Sequence, residues 1–157
     1  MNPRIEICQP KKLVGIRLMM SMADHKVGAV WRRFGPRQKE IRNRKNSDAI
    51  SMAIYSPEHF SDFKPTNEFE RWAAVEVSDY DEVPFGLETF DLPEGQYAVF
   101  DYKGLNTDSA IYQYIFKQWL PQSAYQLDHR PHFEVLGEKY KNNDPESEEE
   151  IWIPIRK

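Results

Sequence analysis

Pro131-His132-Phe133-Glu134-Val135-Leu136 reads as an apolar strand with a carboxylate set in its middle. Strand side chains alternate in direction, so His132, Glu134 and Leu136 share one face while Phe133 and Val135 share the other. With Phe133 and Val135 on a core, Glu134 faces either water or a cavity. Which of the two it faces decides what the protein does.

Working outward from this strand, Glu150–Ile155 follows as a second one beyond an acidic turn, Asp144 to Glu150. Upstream, Ile111, Tyr114, Ile115 and Trp119 recur at helical spacing, with Asn106 or Thr107 as the expected cap and Pro121 near the end. Gln96–Tyr102 is a further strand. The same order stands earlier in the chain. A short strand, Arg4–Gln9, is followed after Pro10 by Leu13–Met20. An amphipathic helix then carries Val27, Val30, Trp31, Phe34, Gln38 and Ile41, with Asp24 as its expected cap and a kink at Gly35-Pro36. Strands Ala49–Tyr55 and Arg71–Val77 complete the set. Asp79–Gly95, with Pro84, Gly86, Pro93 and Gly95, reads as a linker.

Strand, helix, strand, strand therefore occurs twice, over about 1–78 and 95–157 of one domain spanning 1–157. The expected fold is α+β, with two pseudo-symmetric strand-helix-strand-strand halves forming an antiparallel sheet and both helices on one face. The cleft between the halves is the natural place for a ligand.

The chain has 157 residues, enough to bury a sizeable core. A net charge of −4 gives no field that favours phosphate backbones, so no direct nucleic-acid contact is expected. One cysteine, Cys8, forms neither a disulfide within the chain nor a metal cluster. No apolar run approaches a membrane span and the N-terminus lacks a signal-peptide core, so a cytoplasmic protein without membrane contact is expected. His129 and His132 flank Pro131, and strand geometry does not bring i and i+3 together on one ion. No cofactor is expected, because there is no glycine-rich phosphate loop, and no nucleophile elbow is present either. The basic run from Arg32 to Lys45 and the acidic turn read as solvated surface, with a protein partner as the alternative.

Three stretches carry a family resemblance: Val30-Trp31-Arg32-Arg33-Phe34, Leu92-Pro93-Glu94-Gly95-Gln96-Tyr97-Ala98-Val99-Phe100, and Trp119-Leu120-Pro121 through Ile151-Trp152-Ile153-Pro154-Ile155. In order and separation they resemble the GyrI-like small-molecule-binding domain, the effector-binding half of AraC-type and MerR-type multidrug-responsive transcription regulators. The chain looks like its stand-alone form. The resemblance implies that Glu134 sits at the base of an aromatic pocket and recognises lipophilic cations. Leu136 stands where the family often has tyrosine, so the resemblance implies that one aromatic or hydroxyl contact is missing.

A carboxylate walled by rings is poorly solvated, which favours protonation or a cationic partner. Trp72, Tyr102 and Trp119 are the expected pocket walls, although spacing alone does not separate wall from core. Glu76, on the same strand face as Trp72, is either a second carboxylate near the axis or exposed surface. The resulting expectation is a non-catalytic protein that binds a hydrophobic or cationic small molecule. The alternatives are a hydrolase of electrophilic small molecules using a pocket glutamate, and an inhibitor of DNA gyrase acting through protein contacts.

Overall fold

The computed structural model describes residues 2–157. The chain runs β1 (Arg4–Cys8), β2 (Lys11–Ser21), α1 (Val27–Phe34), a 3-10 turn (Gly35–Glu40), β3 (Ala49–Ile54), β4 (Glu68–Val77), β5 (Glu88–Leu92) and β6 (Gly95–Lys103). It continues through α2 (Ala110–Tyr114), a π-helical turn (Ile115–Trp119), α3 (Leu120–Gln122), β7 (Gln126–Leu127), β8 (His132–Leu136) and β9 (Glu148–Arg156).

All strand pairs are antiparallel, in the order β1-β6-β9-β8-β3-β4-β2-β5, with β7 beside β9. The order is palindromic by role. β6, β9 and β8 on one side answer β2, β4 and β3 on the other, and β3 meets β8 at the seam.

Register assigns the two faces. Val14 and Ile16 on β2 lie opposite Val75 and Ala73 on β4, and Ser51 on β3 lies opposite both Ala73 and Glu134. Ile151 on β9 continues this face beside Glu134, and Phe100 on β6 lies beside Ile151. Both helices cover this one face. Val30 and Phe34 of α1 pack with Val14, Ala73 and Val75, while Ile111 of α2 and Ile115 pack with Phe100, Ile151 and Ile153. Each such large side chain contributes about 1.5–3 kcal/mol on burial. The opposite face is also buried. Cys8, Leu13, Leu92, Tyr97, Trp72 and Phe133 form one cluster there although β1 and β5 are opposite edges, so the sheet curls toward that side. Gly15 is required where β2 crosses β4, since a β-carbon there would lie 2.1 Å from the Ala73 carbonyl oxygen.

Several local expectations need correction. The stretch taken as a linker contains β5, an edge strand whose Phe90 and Leu92 face the core. α1 starts at Val27 with no side-chain cap; Asp24 instead pairs with Lys26 at 3.3 Å. α2 starts at Ala110, whose N–H donates to Asp108 and not to Asn106 or Thr107. Pro121, as expected, stands near the end of the helical run that begins at Ala110 and closes at Gln122.

Candidate functional site

At the seam the helix-bearing face carries small side chains, Ser51 and Ala53 on β3 and Ala73 on β4. Ser51 lies opposite Glu134, and Ala53 lies opposite both His132 and Arg71. Longer neighbours can therefore reach across a low floor. Arg71 crosses β3 and donates from Nη2 to Ser51 Oγ at 2.8 Å and to Glu134 Oε1 at 3.3 Å. From α2, the Tyr112 hydroxyl donates to the same Glu134 oxygen.

Glu149 on β9 lies close enough to Glu134 to feel its charge. Burial, followed by the charge of Glu134, pushes the Glu149 carboxyl well above the usual carboxylate range, which favours its protonated form. His132 is pushed down to about 3 by burial and by Arg71, so it is neutral. Burial would lower the Arg71 guanidinium, but Glu134, Tyr55 and Tyr112 together outweigh it and the net direction is up. Arg71 and Glu134 thus cancel at the floor of the cleft. The Arg71 Nε is buried with no hydrogen-bond partner.

Rings close the space. Tyr55 lies 4.9 Å from His132, and Phe60 stacks on Phe116 at 5.8 Å and on His132 at 6.0 Å. The cleft lined by Tyr55, Arg71, Tyr112, Phe116, His132 and Glu134 encloses about 40 Å³, with Phe60 packed against its rings. A larger open groove of about 540 Å³ lies beside it, at the ends of β6, β8 and β9. Glu149 borders that groove and feels the charge of Glu134 in the cleft. Among the described residues no three His, Cys, Asp or Glu side chains are grouped to hold a metal ion.

Of the four residues singled out from sequence, Glu134 lines the cleft and the other three lie elsewhere. Trp72 is 3 % exposed on the opposite sheet face, against Phe90, because it follows Arg71 by one residue. Tyr102 borders the larger groove and donates to the Leu105 carbonyl at 2.8 Å. Trp119 packs edge-on against Phe100 at 5.2 Å, within the α2 side of the core. Glu76 is not exposed; it is buried and ion-paired with Lys11 at 3.4 Å and Lys45 at 3.8 Å, away from the seam. The residues that do line the cleft, Tyr55, Arg71, Tyr112, Phe116 and His132, were not singled out. Tyr112 and Phe116 stand at i, i+4, a spacing that could have marked a second ring-bearing stripe on that helix.

A nine-stranded antiparallel sheet with both helices on one face, and a carboxylate at the seam between them, defines a GyrI-like effector-binding domain. The chain belongs to the Cass2 family, described as integron-associated effector binding protein, which matches residues 4–155. The transcriptional regulator BrlR of Pseudomonas aeruginosa is 29 % identical over 157 residues, covering 99 % of this chain and 56 % of the regulator. The chain therefore spans little more than half the length of that relative. Among solved structures, SAV2435 bound to tetraphenylphosphonium has a TM-score of 0.70 at 18 % identity, covering 99 % of this chain and 94 % of that one. The integron cassette protein VCH_CASS2 of Vibrio cholerae has a TM-score of 0.70 at 16 % identity, covering 99 % and 96 %. At these identities the two structures share the fold.

Proposed function

We propose that the chain binds a hydrophobic or cationic small molecule in the cleft between its two helices. The observation that carries this reading is the Glu134 carboxylate at the floor of a space walled by the rings of Tyr55, Tyr112 and Phe116. Each well-placed ring face adds about 0.5–2 kcal/mol for a bound cation. The family description as effector binding protein, and a fold neighbour solved with tetraphenylphosphonium, support the same reading.

A space of about 40 Å³ holds little more than a water molecule, so an organic ligand enters by displacing side chains. Phe60, 39 % exposed and held by ring contacts, is the side chain placed to yield. The test is a titration of tryptophan fluorescence with tetraphenylphosphonium. Saturable one-to-one binding is expected, weakened about 2- to 30-fold in Phe116→Ala through loss of one ring face. Absence of saturable binding, or equal affinity in the variant, refutes the site.

A further inference from the structure

The cleft carboxylate already has a cation. Arg71 Nη2 lies 3.3 Å from Glu134, and the Tyr112 hydroxyl supplies a second donor to that residue. Meanwhile Arg71 Nε, in the lining of the same cleft, is buried and bonded to nothing. Among the side chains that line the cleft, the buried polar atom left without a partner is this donor. We propose that Arg71 is a built-in counter-cation that sets ligand class, so that the cleft favours an aromatic molecule bearing a neutral or zwitterionic hydrogen-bond acceptor over a bare lipophilic cation. This inference rests on the binding role assigned to the cleft.

Each class of ligand has something different to break. A monocation has to take Glu134 from Arg71, which leaves a guanidinium beside it with Ser51 as its remaining acceptor. A monoanion has to take Arg71 from Glu134, which leaves the carboxylate to Tyr112. A neutral acceptor, such as a carbonyl or phosphoryl oxygen, fills the Nε position and breaks neither bond. Buried donors without acceptors are costly, so filling this one is favourable in itself. His132 adds no charge, since burial and Arg71 hold it neutral. The floor is thus balanced by two opposite charges, and removing either one tips it.

Three probes of related shape read the balance: tetraphenylphosphonium, tetraphenylborate and triphenylphosphine oxide. Wild type should bind the oxide best and separate the two ions by less than about tenfold. Arg71→Met should tighten phosphonium binding by about tenfold or more and weaken the oxide by a similar factor. Glu134→Gln should tighten borate binding by about tenfold or more. Near-ultraviolet circular dichroism reports whether each variant is folded. If folded Arg71→Met binds phosphonium no better than wild type, the inference is overturned while binding in the cleft stands. If Arg71→Met does not fold, the Glu134→Gln arm decides, and unchanged borate affinity overturns it. If no probe binds any of the proteins, the binding role itself fails and takes the inference with it.

Discussion

Removing Arg71 strands Glu134, and removing Glu134 strands Arg71, so the pair should behave as one energetic unit. Their side chains are 14 % and 19 % exposed, and the closest N···O approach is 3.3 Å. At an effective dielectric of about 20, that separation gives an attraction of about 5 kcal/mol, most of it offset by desolvation. Arg71→Met leaves the carboxylate facing an apolar side chain and should cost about 3 kcal/mol. Glu134→Gln leaves Arg71 its bond to Ser51 and offers it an amide oxygen, so about 1.5–2 kcal/mol is expected. The double variant removes both charges together and should cost about 2–3 kcal/mol, less than the two single losses combined. The coupling is then about 2 kcal/mol. Urea unfolding followed by tryptophan fluorescence and far-ultraviolet circular dichroism measures it. At a slope near 2 kcal/mol/M, the Arg71→Met midpoint should fall by about 1.5 M. Additive losses to within about 0.5 kcal/mol would show two independent side chains and refute the reasoning, as would a Glu134→Gln variant more stable than wild type.

Two further predictions concern the cleft walls. His132 is neutral in the fold, with its proton affinity pushed down to about 3, whereas the unfolded chain protonates it near 6.5. Its contribution to stability is therefore present above pH 6.5 and lost as pH falls toward 3. The slope is at most about 1.4 kcal/mol per pH unit. His132→Leu should flatten the stability profile between pH 5 and 6.5, and an unchanged profile from urea melts would place the histidine elsewhere. Phe60→Ala should speed ligand association several-fold in stopped-flow fluorescence while costing about 1 kcal/mol of stability. An unchanged association rate would mean that Phe60 does not close the cleft.

The alternation in Phe133–Val135 and the repeated strand-helix-strand-strand order were enough to read the sheet and the placement of both helices. That order depends on long apolar periodicities, which survive in sequence. What did not survive depends on tertiary pairing. β5 lies between Pro84-Phe85-Gly86 and Pro93, so punctuation masks its short alternation of Phe90 and Leu92. Only its register against β2 makes it a strand. The caps failed for a related reason. Asp24 and Asn106 are good capping types, but Asp24 finds Lys26 and Asn106 finds Asn142, so neither is free for a helix end.

The cleft carboxylate was legible and its partner was not, and one physical fact accounts for both. A carboxylate in an aromatic setting demands a cation, a demand written into Glu134's own strand. The cation that answers it stands 63 residues away in sequence and two strands away in space. It reaches Glu134 only because Ser51 and Ala53 between them are small. A slip of one residue in β4 would send Arg71 to the Trp72 side of the sheet and leave the carboxylate free. Yet β4 does carry a signal. Between Glu68 and Val77, Arg71 falls on the same face as Phe69, Ala73, Val75 and Val77, all of them buried. A charge on a face otherwise built for burial has to be answered by an opposite charge nearby. Reading β4 for its polar exception, as β8 was read for Glu134, joins the two strands at the seam.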